Sequence, residues 1–133
     1  MAEIQSQKWA RLAYVHMQTP ARVAKKDKME KYGGLWMRLP YLVLTNGLSQ
    51  AVAFIASKYD EQKKPEFGWV LSDLAAILGY TQNTVQTEIQ SFPDTRKYAL
   101  ATRQVLDASI WYKRYAEGIY GLDPTNDAAR GDR

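Results

Sequence analysis

"RLPYLVLTNGLSQAVAF", Arg38 to Phe54, lies within a run of nineteen residues, Leu39 to Ser57, that carries no charged side chain. The chain around it holds 18 Lys/Arg and 14 Asp/Glu in 133 residues. A run this long approaches the length of a membrane crossing. However, Pro40, Thr45, Asn46, Gly47, Ser49 and Gln50 lie inside it and positive residues stand at both ends. It therefore reads as core rather than as a span. Tyr41, Leu44, Leu48, Ala51, Val52, Ile55 and Tyr59 fall on one helical face. The spacing predicts one helix starting at Pro40 and running to about Tyr59. Its other side, with Leu39, Asn46, Gln50, Ala53 and Ser57, is small or uncharged, which suits cover by a partner, with core packing alone as the default reading. Gly47 is unfavourable inside a helix by about 1 kcal/mol against Ala. It predicts either a break at "TNG" or a group packed closely on that backbone.

Helical spacing extends outward in both directions. A first helix is expected over about Ile4 to Gln18. Thr19-Pro20 suits an N-cap followed by Pro at the first helical position. The lysine-rich "ARVAKKDKMEK" reads equally as a solvated helix or a mobile connection, and a second helix is expected over about Met29 to Arg38. Beyond the polar "YDEQKKPEFG", short helices are expected at Val70–Leu78, ended by Gly79, and at Thr81–Phe92, capped by Thr81. Asp94 or Thr95 caps a long last helix reaching about Tyr120. Its core stripe is Tyr98, Ala101, Val105, Ala108, Tyr112, Ala116 and Ile119. No run of alternating β-branched residues signals a strand. The fold class is therefore all-α, a single-domain bundle of about six helices over residues 1–121, with 122–133 a loose tail.

The absence of cysteine excludes disulfides, thiolate metal sites and thiol catalysis and suits a reducing, cytoplasmic setting. No apolar leader opens the chain. His16 is the one histidine, and a lone helical histidine is most often a packing or surface residue. No zinc-protease, calcium-loop or phosphate-loop motif occurs. Asp73, Glu88, Asp94 and Asp107 are spread at helix starts and faces, so capping accounts for them. The Arg130–Asp132 "RGD" is short enough to arise by chance. Neither an enzyme activity nor a cofactor or metal is expected.

The charge is uneven. Lys8 to Arg38 holds eight Lys/Arg against Asp27 and Glu30, whereas Pro65 to Thr95 holds no Lys or Arg against Glu66, Asp73, Glu88 and Asp94. On the last helix Arg96, Arg103 and Arg114 are spaced by seven and eleven residues, which places them within roughly 20° of one another. Lys97 and Lys113 flank them, and Asp107 intrudes. Such a row can track a polyanion backbone, with Lys8 and Arg11 as a smaller pair on the first helix. Any one of these residues alone is better read as a solvated side chain. Trp9, Trp36, Trp69 and Trp111 suit base stacking, although in a small helical domain tryptophans more often fill the core.

A competing motif is "LSDLAAILGYTQNTVQTEI", Leu71 to Ile89, which looks like a helix-turn-helix. Gln82, Asn83 and Gln86 would then read bases. The block lacks the cations that dominate DNA affinity, so a DNA-binding regulator is the minority reading.

Two separated blocks carry a resemblance. "KYGGLWMRLPYLVLTNGLSQAVAFIASK", Lys31 to Lys58, and "RKYALATRQVLDASIWYKRYAEG", Arg96 to Gly118, are similar in order and spacing to the small subunit of the type III-B CRISPR Cmr effector complex. The resemblance implies an all-helical, non-catalytic subunit. Copies would stack in the complex's minor filament between the large Palm-domain subunit and the terminal repeat-containing subunits. They would touch the backbone of guide RNA and target RNA while base pairing reads sequence. Arg38, Asn46 and Gln50 enter as RNA or partner contacts by this carry-over. The small subunit of a type III-A Csm or Cascade-type complex is the sibling alternative.

Overall fold

The computed structural model describes residues 4–123. Seven helices are present among them: α1 (Gln5–Met17), α2 (Pro20–Val23), α3 (Lys26–Asn46), α4 (Leu48–Lys58), α5 (Pro65–Leu78), α6 (Val85–Gln90) and α7 (Thr95–Gly118). No strand occurs there. One isolated bridge, Asp60 to Lys64, pins the α4–α5 loop, and the Asp60 carboxylate accepts from the Gln62 and Lys63 amides.

The uncharged run divides differently from the sequence expectation. The lysine-rich segment is helical on both sides of a turn at residues 24–25, and α3 continues from Lys26 through Pro40 to Asn46. A proline in a helix interior removes one hydrogen bond and crowds the preceding turn, at a cost of about 3 kcal/mol. Trp36, Leu39 and Val43, all buried on one side of α3, hold the helix across that defect. The break comes instead at Gly47, whose φ of 88° lies in the region that favours glycine. Its amide closes α3 on Val43 O at 2.9 Å, and its carbonyl opens α4 to the Ala51 amide at 3.0 Å. A Cβ at Gly47 would also stand 3.3 Å from the Tyr98 hydroxyl, so both reasons for a glycine operate.

This break splits the expected stripe. Leu48, Ala51, Val52 and Ile55 are buried, but Tyr41 is 69% exposed and Leu44 71%. Tyr59 is also exposed, whereas Leu39, expected on the outer side, is buried.

The other boundaries follow local chemistry. Asp94 caps α7 by accepting from the Lys97 amide at 2.8 Å. Pro65 starts α5 earlier than expected, and α6 is shorter than expected because residues 82–84 form a turn ahead of it. Thr84, not Thr81, is its N-cap residue.

The two long helices form the frame. Trp36 of α3 stacks on Tyr112 of α7 with centroids 4.0 Å apart and 16° between planes. Further along, the Ser49 amide donates to the Tyr98 hydroxyl at 2.8 Å, so the α3–α4 pair runs antiparallel to α7. α1 runs parallel to the C-terminal half of α7, with Tyr14 edge-on to Tyr115 and the Tyr120 hydroxyl donating to Met17 O. α5 is the central helix, burying Phe67, Val70, Leu71, Leu74, Ala75 and Ile77.

Gly33 marks a close crossing of α3 with α7 and the segment after it. A Cβ there would lie 2.6 Å from Leu122 Cδ1 and 3.3 Å from the Ala116 Cβ. Leu122, assigned to the loose tail by sequence, is buried, and its amide donates to Ala116 O at 3.3 Å. In the α7 stripe Ala101, Val105, Ala108, Tyr112 and Ala116 are buried, whereas Ile119 is exposed. The rest of the expected tail from residue 124, with its RGD, lies outside the described residues.

Candidate nucleic-acid interface

α7 exposes Arg96, Lys97, Arg103, Lys113 and Arg114, all five cations expected on it. The helix buries its alanine, valine and tyrosine stripe, so the opposite line is forced outward. Arg103 is 81% exposed, and its Nε lies 4.0 Å from Asp107 Oδ2. A pair so open to solvent contributes little and leaves the guanidinium available to an anion. Leu100 and Ile110 are more than half exposed between the arginines, so apolar groups interleave with the charge.

α1 adds a second wall. Between it and α7 lies a groove of about 250 Å³ lined by Gln5, Ser6, Trp9, Asp107, Ile110 and Trp111. Lys8 Nζ sits 5.1 Å from the Trp9 ring centroid, and the Arg114 guanidinium carbon sits 5.7 Å from that of Trp111. Lys8 of the small α1 pair and Arg114 of the α7 row thus stand beside the two tryptophans of one groove, while Arg11 is exposed on α1 outside its lining. Arg38, Asn46 and Gln50 do not join it. They sit on α3 and α4, Arg38 half-buried and the other two exposed, on the helices that meet α7 through Tyr98, Tyr112 and Ala116. Of the tryptophans, Trp9 and Trp36 are core, while Trp69 and Trp111 are partly exposed.

A second polar constellation lies inside the bundle. Asp73, expected as a surface or capping acid, is fully buried in the middle of α5. Its Oδ1 accepts from Arg22 Nη1 at 2.8 Å and lies 3.1 Å from His16 Nδ1. Its Oδ2 accepts from the Tyr32 hydroxyl and from Trp36 Nε1 at 3.2 Å. His16 Nδ1 is also 2.5 Å from the Tyr112 hydroxyl. One carboxylate thereby ties together α1, α2, α3 and α5, and reaches α7 through His16. Burial, then the Asp73 charge, hold the Tyr32 and Tyr112 hydroxyls well above their ordinary range, so both stay protonated. The His–Asp–Tyr chemistry is closed to a substrate because the carboxylate has no exposed surface.

The model of the CRISPR-associated protein family Cas_Cmr5 matches residues 5–119. The chain belongs to the Cmr5 family. It is 35% identical over 114 residues to the CRISPR system Cmr subunit Cmr5 of Thermus thermophilus, covering 86% of this chain and 94% of that one. The crystal structure of a CRISPR-associated Cmr5 family protein from the same organism superposes with a TM-score of 0.72 at 33% identity. That match covers 88% of this chain and 97% of the other.

Within this Cmr5-family fold the helix-turn-helix segment does not resemble a reader of duplex DNA. α6 has six residues, a rise of about 9 Å, and it buries Val85 and Ile89. Gln82 and Gln86 are half-buried. The acidic block is also less acidic at the surface than in sequence. Glu66 and Asp73 are buried, the former with Lys28 Nζ 3.8 Å from its Oε1.

His16 makes the network sensitive to acid. Burial is the main cause holding its pKa below the ordinary value; Asp73 opposes this and Arg22 adds to it. The folded chain therefore binds the proton less tightly than the unfolded chain. As pH falls below about 6.5 the unfolded chain takes up more protons, and stability declines until the folded value is passed. Above that window the group contributes no pH dependence. His16→Gln should flatten the fall in thermal midpoint between about pH 7 and pH 5.5. An unchanged slope in the variant would assign the acid sensitivity to other groups.

Proposed function

We propose that this chain is a non-catalytic, RNA-contacting structural subunit of a type III-B CRISPR Cmr effector complex in the cytoplasm. Copies stack along the guide RNA and its target, beside the large Palm-domain subunit and the backbone subunits. Membership of the Cmr5 family carries the assembly. The exposed cation row Arg96, Arg103 and Arg114 supports backbone contact, because it runs along one helix face for some 27 Å and does not depend on base identity. Tyr41 and Leu44, exposed beside uncharged Thr45, Asn46 and Gln50, support protein contact on the α3–α4 side, since exposed apolar side chains suit a protein partner better than a phosphate. The buried Asp73–His16 network supports a structural rather than a catalytic role. Among the described residues no three His, Cys, Asp or Glu side chains gather to hold a metal ion, and no helix is long and apolar enough to cross a membrane.

Affinity purification of the tagged chain from cells carrying its native CRISPR locus tests the reading. Guide RNA and Cmr subunits should co-purify. Recovery of a single duplex DNA site would sink it in favour of the helix-turn-helix regulator, and a Csm or Cascade-type subunit set would move the chain to a sibling complex.

A further inference from the structure

We propose that the groove between α1 and α7 is a nucleotide cleft. It takes one unpaired base of single-stranded RNA against Trp111, with the adjoining phosphate held by Lys8 and Arg114. This rests on the RNA-contact reading above and gives that reading a defined site.

The shape and chemistry of the groove select the ligand. Its volume is about 250 Å³, and it is open along the junction of two helices. Trp9, 2% exposed, forms its floor, while Trp111 and the half-exposed Ile110 present an apolar wall. An unstacked base placed against such a wall gains stacking that every base can supply. Bases inside a duplex are already stacked and cannot enter. Gln5, Ser6 and Asp107 line the same groove and provide hydrogen-bonding groups for a base edge. A carboxylate accepts from the amino group of a base.

Charge then sets the orientation. Lys8 and Arg114 each already stand over one of the two tryptophans, so a cation is present on either wall. Asp107 is the acid in the groove, and it repels phosphate. The base therefore points inward and the phosphate lies outward, toward the two cations. The arginine row supplies further backbone contact on the same helix, with Arg103 eleven residues before Arg114. An apolar side chain of a neighbouring protein would fit Trp111 and Ile110, but it would leave the two rim cations without a complement.

Photo-crosslinking in the assembled ribonucleoprotein tests this. With 4-thiouridine placed in the guide or the target RNA, irradiation should yield adducts on the tryptic peptide Gln104–Lys113, which carries Trp111. Ser6→Tyr, at an exposed position, fills the groove without entering the core and should reduce those adducts about tenfold, the loss of one stacked base. Trp111→Leu should weaken RNA binding by about tenfold for the same reason, with the salt slope unchanged because no charge is removed. Circular dichroism and a thermal melt accompany both variants, and Ser6→Tyr carries the test if Trp111→Leu unfolds.

Adducts elsewhere on the chain, unaffected by Ser6→Tyr, would overturn the cleft and leave the RNA-contact reading standing. No adduct anywhere on the chain would overturn both. Failure of the variants to enter the complex, with no adduct on Gln104–Lys113 in the parent, would show the groove to be a protein contact, and would also overturn the cleft.

Discussion

Asp73→Ala lowers the stability of the fold by about 3–5 kcal/mol, the loss expected when one partner of a buried ion pair is removed and the other stays in the core. Arg22 has an exposure of only 8%, and its guanidinium would be left facing Tyr32 and Trp69 without the Asp73 carboxylate it pairs with. The Tyr32 hydroxyl and the Trp36 indole would lose their acceptor in the same step. Against a total of about 5–15 kcal/mol for a domain, the thermal midpoint should fall by on the order of 10 °C. Arg22→Met combined with Asp73→Leu should recover part of this, since apolar replacement of a whole buried pair is often neutral. Recovery stays incomplete because the hydroxyl and the indole remain unsatisfied. Denaturant unfolding of the parent, the two single variants and the double variant closes the cycle. A loss below about 1 kcal/mol for Asp73→Ala would show that the carboxylate is peripheral to the fold.

That network illustrates what the sequence leaves unread. Asp73 lies eight residues from the Pro65 that starts α5, and its neighbours in sequence do not name its partners. Those partners are 37 to 57 residues away in α1, α2 and α3. Helical periodicity is local, so it places the bundle, the α7 core line and the Asp94 cap. It does not say which polar residue is taken inside. Pro40 misled for a related reason. Its local rule favours a helix start, and only the burial of Trp36, Leu39 and Val43 carries α3 through it. Gly47 was legible as a break, but the displacement of Tyr41 and Leu44 onto the surface follows from the new helix direction, which periodicity across the break cannot give.

The candidate site was legible where one helix carries it. Seven- and eleven-residue spacing alone puts Arg96, Arg103 and Arg114 on one line, and burial of the opposite stripe leaves that line outside. The groove was not legible, because Gln5, Ser6 and Trp9 meet Asp107, Ile110 and Trp111 only through the packing of α1 on α7. A faint signal existed in Trp111 lying three residues before Arg114, the spacing that brings two side chains together on a helix.

Arg103→Gln with Arg114→Gln should weaken RNA binding by the assembled complex and make it less sensitive to salt. Each cation that neutralises a phosphate releases counterions, and for single strands the slope of log affinity against log salt falls by about 0.7 per lost contact. Two contacts change it by about 1.4, which makes the gap between variant and parent about sevenfold wider at 50 mM salt than at 200 mM. Stability should be nearly unaffected. Arg103 is 81% exposed with a distant, exposed Asp107 as its neighbour, and Arg114 lies over a half-buried tryptophan rather than in the core. The loss should not depend on guide sequence, because phosphate contacts carry no base information. The Trp111 variant should show the complementary pattern, with weaker binding and the parental slope, so the two measurements separate charge from stacking. The measurement belongs in the complex, where on the proposed reading stacked copies would repeat the contact and multiply one chain's short footprint. Unchanged affinity and slope there would mean that the row faces protein or solvent, and the backbone contact would then be sought at Lys8, Arg11, Lys25, Lys26 and Arg38.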